Sequence, residues 1–140
     1  MYAEIIIPLS LPKNYTWLIP DELIQYIQIG GRVEVNLGKF KKYAGIVYKI
    51  THECPTNYIP KNIIGVIDEH PIINETQLTF WKWLSDYYMC SMGEIMQIAL
   101  PPYLKFTSET SIVFNDSVEI IPTELSDDMF FIVQLLQNKN

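Results

Sequence analysis

The sequence has 140 residues, of which 49% are hydrophobic and 19% charged, and this predicts a folded chain of one domain or of one small domain with part of another. It contains no run of about 18 apolar residues, and its first residues carry an acid, Glu4, but no basic stretch, so we expect a cytoplasmic protein without membrane span or signal peptide. The net charge of −6 by itself argues against nucleic acid as a partner, but the charge is unevenly distributed. Residues 1–61 hold seven basic and five acidic residues, whereas residues 62–140 hold three basic and eleven acidic residues.

The first half of the chain has the alternation and β-branched composition of strands, interrupted by turns with proline or glycine. Five strands are predicted: Tyr2–Ile7, Tyr15–Ile19, Arg32–Leu37, Tyr43–Thr51 and Lys61–Asp68. Between the second and the third, Asp21–Gln28 has room for one or two helical turns before the breaker Gly30–Gly31. The third and fourth strands predict a β-hairpin whose tip, Gly38–Lys42, is rich in lysine.

The apolar residues change to helical spacing after residue 73. Asn74–Met89 predicts a helix with Asn74 as its N-cap. Ser91–Leu100 predicts a second helix, which begins with a capping box of Ser91 and Glu94 and ends before two prolines.

The first of these helices is rich in aromatic residues, which can fill a core or stack nucleic-acid bases. We interpret Trp81 and Tyr88 as core residues because they follow the apolar spacing of the helix. Trp83 and Tyr87 lie four residues apart on a different face, where they are either exposed or packed against a second domain.

Residues 106–140 predict part of a second domain. Ser108–Ile121 has the composition of a strand pair or an irregular strand, and Thr123–Gln137 has the spacing of a helix capped by Thr123 or Ser126. These two elements cannot enclose a core by themselves. We therefore interpret them as the start of a truncated domain that follows a first domain of residues 1–105.

The sequence carries no motif of a known catalytic site, since it lacks the patterns GxxxxGK[ST], GxGxxG, HExxH and GxSxG. Cys54 and Cys90 lie far apart without a CxxC spacing, and the two histidines lie on predicted loops, so no metal site is predicted. We interpret Asp68 and Glu69 as a turn acid and its solvated neighbour. A small hydrolase would need titratable residues clustered in a pocket, which this sequence does not indicate.

One group of residues combines the features of a nucleotide site: Tyr15, Thr16, Trp17, Gly38 and Lys61. An aromatic ring can stack a base, a glycine lets backbone approach a ligand closely, and a cation binds phosphate. Three lysines of the hairpin tip are weaker candidates for contact with a DNA backbone: Lys39, Lys41 and Lys42. The structural alternative is that Tyr15 and Trp17 fill a small barrel, Gly38 makes a turn and the lysines are solvated.

Four segments in this order and spacing resemble the N-terminal region of the PriA family of replication-restart helicases, also called primosomal protein N′. They are IIIPLSLPKNYTWLIP, GGRVEVNLGKFKKYAGIVYKI, KNIIGVID and WLSDYYMCSMGEIMQIALPPYLK. The family has an apolar strand with Pro-Leu and a Phe-Asp-Tyr-like triplet, then a Pro-Gly-x-Arg-Val-x-Val-Pro-Phe-Gly-like hairpin. A lysine before a strand ending in Asp follows, then a Leu-x-x-Tyr-Tyr helix and a Gly-Glu helix that closes in Leu-Pro-Pro. The likeness covers about residues 3–105 of this chain.

The resemblance implies an α+β fold. Residues 1–105 would form a small β-barrel-like 3′-DNA-binding domain with two C-terminal helices, and residues 106–140 the start of a winged-helix domain. Such a domain captures the 3′ end of the nascent leading strand at stalled forks, without sequence specificity, for a parent ATP-dependent 3′–5′ DNA helicase. The fragment itself would be no enzyme and hold no cofactor, whereas ATP with magnesium, and zinc, are implied for the parent.

The resemblance also implies partners and site residues. The partners are forked or single-stranded DNA with a free 3′ end and, through the full-length chain, primosome proteins and single-stranded-DNA-binding protein. The family's pocket takes its stacking ring at Tyr15, its glycine at Gly38 and its lysine at Lys61. The middle of the triplet is usually Asp, which accepts a hydrogen bond from the terminal 3′-hydroxyl, and here it is Thr16. A neutral hydroxyl is a weaker acceptor than a carboxylate, so we expect weaker selection for the 3′-hydroxyl.

A function of a different class is also compatible with the composition: a protein-interaction or structural module whose acidic half docks partner subunits. The uneven charge indicates a partner but does not say which. Binding to DNA that weakens steeply with salt favours the first function, and absent or salt-insensitive binding favours the second.

Overall fold

The structure, a computed structural model, describes residues 1–39, 41–105, 126, 129 and 131–134. The chain divides into two compact units, Met1–Ser108 and Glu109–Asn140. In the second unit the Ser126 hydroxyl accepts a hydrogen bond from the Met129 N–H (3.4 Å), and residues 129 and 131–134 are helical. The predicted strand segment at 108–121 lies outside the described residues, and of the predicted winged-helix start at 106–140 only residues 126, 129 and 131–134 lie inside them.

The first unit is built on a five-stranded sheet in which all neighbouring strands are antiparallel. Its strands are β1 (Tyr2–Ile6), β2 (Tyr15–Leu18), β3 (Arg32–Leu37), β4 (Lys41–Thr51) and β5 (Ile63–Val66). Their order in space is β2-β1-β4-β3-β5, so the long β4 lies at the centre. The five predicted strands and the α+β, barrel-like class are confirmed, although β4 begins earlier and β5 is shorter than predicted.

The sheet curls until its two edge strands meet at one point. The Leu18 N–H donates to the Lys61 carbonyl (2.8 Å), and Leu18 pairs with Asn62 in an isolated parallel bridge. The pairing of β1 with β4 shifts register between Glu4 and Ile5, and irregularities of this kind increase local twist. We call this meeting of β2 with the start of β5 the seam.

The two faces of the curled sheet bury separate hydrophobic cores. The inner core contains, among others, Ala3, Ile5, Trp17, Val33, Val35, Val47 and Ile63. The outer core contains, among others, Ile6, Ile46, Leu78, Trp81, Ile95, Met96 and Leu100. Successive side chains of a strand point to opposite faces, which is why the adjacent residues Ile5 and Ile6 belong to different cores.

Two helices, α1 (Glu75–Tyr88) and α2 (Met92–Ala99), cover the outer face. Both begin with a capping box, which the sequence predicts for α2, whereas for α1 it predicts only the N-cap Asn74. In α1 the Asn74 side chain accepts from the Gln77 N–H (2.8 Å), and the Gln77 side chain accepts from the Asn74 N–H (2.9 Å). Ser91 and Glu94 repeat this arrangement in α2. The bond from the Ser91 N–H to the Glu94 carboxylate stabilises the charged form and lowers the pKa of Glu94.

The prediction that Trp81 and Tyr88 are core residues is right for Trp81 and wrong for Tyr88. Trp81 is 5% exposed and packs in the outer core, whereas Tyr88 is 66% exposed. Helix α1 extends past the edge of the core beneath it, where even Leu84 is only partly buried. Trp83 and Tyr87 are exposed, which is one of the two predicted alternatives.

Helix α2 lies in close contact with the chain that follows β1. A Cβ atom at Gly93 would lie 2.0 Å from the Leu9 carbonyl oxygen and 2.4 Å from that of Ile7, so only glycine fits. One turn later, the Gln97 side-chain amide donates to the Pro8 carbonyl (2.7 Å). These contacts fix the position of α2 against the sheet.

Arg32 and Asp68 form a largely buried ion pair, with side chains 8% and 16% exposed. The Arg32 Nε and Nη2 donate to the two carboxylate oxygens at 2.7 and 2.6 Å, and Nη1 donates to the Leu104 carbonyl (3.2 Å). The interpretation of Asp68 as only a turn acid is therefore wrong, because its partner lies 36 positions away in sequence. Hydrogen bonds from the guanidinium lower the pKa of Asp68, and the same bonds raise the pKa of Arg32.

Candidate functional site

A cleft of about 230 Å³ opens at the seam, where β2, the end of β3 and the segment before β5 come together. It is lined by Tyr15, Thr16, Trp17, Asn36, Leu37, Gly38, Tyr58, Ile59 and Lys61, and we call it the seam pocket. The five residues that the sequence predicts as a nucleotide site all line this one pocket. Their contact with a ligand stays a prediction.

Tyr15 and Trp17 contribute differently to the seam pocket. The half-buried Tyr15 ring packs edge-on against Trp17, with centroids 6.5 Å apart, and against Tyr58, with centroids 5.8 Å apart. Trp17 is 3% exposed, and its indole N–H donates to the Asn36 carbonyl (3.2 Å). The two edge contacts orient Tyr15 and leave part of its ring open for stacking, whereas Trp17 forms the floor of the pocket and belongs to the core.

Thr16 lines the seam pocket, but the geometry of β2 directs its side chain away from Tyr15. Because side chains alternate along a strand, Thr16 shares the outer face with Glu4, its partner in register on β1. Tyr15 and Trp17 pack at the inner core instead. The Thr16 backbone N–H donates to the Tyr58 hydroxyl (2.7 Å), so the backbone of Thr16 helps to hold Tyr58 at the pocket.

Tyr58 and Ile59 are pocket residues that the sequence does not reveal, because they lie between the predicted strands Tyr43–Thr51 and Lys61–Asp68, where the sequence predicts no element and no motif. Tyr58 is half-buried between Tyr15 and the backbone of Thr16. Ile59 is 93% exposed at the rim. The one sequence feature that could indicate Tyr58 as a pocket residue is its position three residues before Lys61, which is itself a predicted site residue.

Gly38 and Lys61 form the mouth of the seam pocket. Gly38 has a φ of 73°, in the left-handed region that favours glycine, and a Cβ atom there would meet no heavy atom within 4 Å. The Lys61 ammonium donates to the Gly38 carbonyl, which holds a positive charge across the opening. An ammonium group has three N–H donors, so a ligand can use the others.

The lysines of the hairpin tip lie outside the seam pocket. Lys39 and Lys41 are exposed and do not line it. Lys42 pairs with Glu34 at 3.3 Å, and these side chains are 46% and 37% exposed. Exposed cations of this kind provide weak, salt-sensitive attraction for a phosphate chain.

Two surface features lie apart from the seam pocket. A cleft of about 460 Å³ has walls of both charge signs, with Glu4 and Asp86 near Lys13 and Lys82. On the exposed face of α1, the rings of Phe80, Trp83 and Tyr87 stack in a row with centroids 6.0 and 5.2 Å apart.

Within the part of the chain that the structure describes, no helix is long and apolar enough to cross a membrane, and no three His, Cys, Asp or Glu side chains are grouped to hold a metal ion.

The seam pocket has the chemistry of a binding site. Its described lining residues include an aromatic ring, an ammonium group and a hydroxyl, but no carboxylate, histidine or cysteine. It therefore offers a stacking surface and hydrogen-bond donors, which suit a planar group that carries an anion.

The same region of the chain is similar to known proteins. A family model for the PriA 3'DNA-binding domain (3'BD) matches residues 4–101. The chain is similar to the replication restart protein PriA of Chlamydia pneumoniae, with 29% identity over 103 residues that cover 72% of this chain and 13% of that protein. The PriA protein of Haemophilus influenzae is 26% identical over 115 residues, which cover 81% of this chain and 15% of that protein. The PriA protein of Buchnera aphidicola subsp. Acyrthosiphon pisum is 30% identical over 105 residues, which cover 73% of this chain and 14% of that protein. The chain thus spans about one seventh of the length of the curated relatives it matches.

Proposed function

This chain belongs to the PriA family of 3'DNA-binding domains, and on that premise we propose that its seam pocket captures the 3′ end of a DNA strand. In this function it holds the end of the nascent leading strand at a stalled replication fork, whatever the terminal base. The proposal is supported by the family match, because residues 4–101 match the model of the 3'DNA-binding domain. A 3′–5′ helicase activity with ATP, magnesium and zinc, and contacts with primosome proteins and single-stranded-DNA-binding protein at the nucleoid, are proposed for the full-length parent alone.

The observation that carries the proposal is the meeting of Tyr15, Gly38 and Lys61 around one small pocket. A base stacked on Tyr15 gains about 1–3 kcal/mol regardless of its identity, which suits a protein that acts at forks of any sequence. The Lys61 ammonium lies where a phosphate can reach it. Trp17 forms a closed floor, so we expect a strand to enter the pocket with its end rather than to pass through it.

End capture is tested by comparing a linear single-stranded oligonucleotide with a covalently closed circle of the same length and sequence. We expect the linear strand to bind at least about ten-fold more tightly, the equivalent of ~1.4 kcal/mol, because only it offers a terminal nucleotide. Fluorescence anisotropy at fixed salt concentration measures both affinities, and fixed salt is essential because phosphate contacts make binding salt-dependent. Equal affinity for the two molecules would contradict end capture.

A further inference from the structure

Tyr58 is placed to contact whatever the seam pocket holds. Its ring lies against Tyr15, and its hydroxyl accepts a hydrogen bond from the Thr16 N–H at 2.7 Å. A tyrosine hydroxyl can accept and donate at the same time. Among the described residues, the Tyr58 hydroxyl donates to none. Its proton is therefore available to a ligand in the pocket.

The hydroxyl of Thr16 is less well placed for the same part. The register of β2 against β1 pairs Thr16 with Glu4, so its side chain lies on the opposite face of the strand from Tyr15 and Trp17. We therefore assign the contact with a bound strand end to the hydroxyl of Tyr58.

We propose, resting on the function proposed above, that Tyr58 recognises the terminal 3′-oxygen of the bound strand by donating its hydroxyl proton to it. This makes Tyr58 a specificity-determining residue of the seam pocket. It also defines the class of ends that the pocket takes. A 3′-hydroxyl and a 3′-phosphate both present an oxygen that accepts a hydrogen bond, so both are ligands.

The charge of the pocket supports this choice of ligands. A carboxylate facing the strand end would repel a terminal phosphate, but the described lining residues include none. Lys61 supplies a positive charge at the mouth instead, and hydrogen bonds between charged groups are stronger than those between neutral ones. A strand that ends in a dideoxynucleotide has no 3′-oxygen and leaves the Tyr58 proton without an acceptor.

The test measures the affinity of three linear oligonucleotides that differ only at the 3′ terminus: hydroxyl, phosphate or dideoxy. The protein should bind the hydroxyl and phosphate ends within about three-fold of one another, or the phosphate more tightly. It should bind the dideoxy end about five-fold more weakly, because one hydrogen bond of ~1 kcal/mol is lost. Tyr58→Phe should bind the hydroxyl and dideoxy ends equally.

A matched variant separates recognition from structure. Tyr103→Phe removes a hydroxyl from an exposed tyrosine outside the pocket and should keep the preference for the hydroxyl over the dideoxy end. Thr16→Val removes the neighbouring hydroxyl of the pocket and tests whether Thr16 is the residue that recognises the strand end. Tyr58→Phe also removes the acceptor of the Thr16 N–H and can weaken all ligands together, so the ratio between ends is the readout.

Three results overturn the proposal: a phosphate end bound more than three-fold more weakly than the hydroxyl end, no preference for hydroxyl over dideoxy, or a preference that survives Tyr58→Phe. Loss of the preference in Thr16→Val alone assigns recognition to Thr16 instead. If the linear strand still binds more tightly than the circle in these cases, end capture stands and only the assignment to Tyr58 is wrong.

Discussion

At the scale of single residues, we expect binding in the seam pocket to depend most on the side chain of Tyr15. Its ring is held by edge contacts with Trp17 and Tyr58, and it is only half-buried. A ring that is already oriented loses little rotational freedom when a base stacks on it. The affinity for a strand end should therefore respond to the ring and hardly to its hydroxyl, for which no hydrogen bond is recorded among the described residues.

We expect Tyr15→Ala to weaken binding of a linear oligonucleotide by about 1–3 kcal/mol, the range for one stacked base. Tyr15→Phe keeps the ring and should bind within about two-fold of the unaltered protein, the equivalent of ~0.4 kcal/mol. Fluorescence anisotropy gives the affinities, and thermal unfolding shows whether each variant is folded. An unchanged affinity in Tyr15→Ala would show that the base lies elsewhere.

Residue types alone were enough to nominate Tyr15, Gly38 and Lys61, because stacking, close backbone approach and phosphate binding each need a particular side chain. The same reasoning could not decide how deeply Trp17 is buried, because its position as the floor of the pocket depends on the curling of the sheet. It could not find Tyr58, whose place depends on how the loop before β5 folds back on β2. Chemistry is readable from a residue, but burial depends on its neighbours.

At the scale of elements, the packing of α2 on the chain after β1 is the contact with the least tolerance. Gly93 leaves no room for even one methyl group between the helix and the carbonyls of Ile7 and Leu9. Both of those atoms belong to backbone, which cannot move aside as a flexible side chain can.

We expect Gly93→Ala to lower the free energy of unfolding by about 1–3 kcal/mol, which is the usual cost of overpacking a core. The matched control is Gly65→Ala, since a Cβ atom at Gly65 meets nothing within 4 Å. Urea unfolding followed by circular dichroism measures both variants. If the two changes cost the same, the close contact at Gly93 is not what limits the position of α2.

Local patterns predicted most elements because their causes are local. Both capping boxes lie within four consecutive residues, and the alternation of β3 is visible without knowledge of its neighbours. The order β2-β1-β4-β3-β5 has no such local signal, since it depends on which strands bury the same core. The exposure of Tyr88 was mispredicted for the same reason, because helical spacing does not say where the core ends.

At the scale of the whole molecule, the Arg32–Asp68 pair connects parts of the first unit that are distant in sequence. Arg32 lies on β3, Asp68 follows β5, and the Leu104 carbonyl that also accepts from Arg32 follows α2. Removing one partner of a buried pair leaves the other charge uncompensated, which costs about 3–5 kcal/mol.

We therefore expect Asp68→Asn to destabilise the protein by about 3 kcal/mol at neutral pH, the lower end of that range because Asp68 is partly exposed. The pKa of Asp68 is lower in the folded than in the unfolded chain, so its stabilisation is present above the unfolded value of about 3.9 and is lost as the pH falls through the folded value. Urea unfolding between neutral and strongly acidic pH should show the gap between the two proteins narrowing below about pH 4. If the difference in free energy of unfolding between the two proteins does not change with pH, the Asp68 carboxylate is not the source of the stabilisation.

The seam joins the edges of the sheet by one bridge, between Leu18 and Asn62, rather than by a full ladder of hydrogen bonds. A strand end in the seam pocket would touch β2, the end of β3 and the loop before β5 at once, and so would act as a removable crosslink across that gap. A ligand that binds only the folded state stabilises it increasingly as the ligand concentration rises above the dissociation constant, so the domain with a bound strand end would be the more stable form. On the proposed function, the DNA end would complete the barrel that the chain leaves partly open.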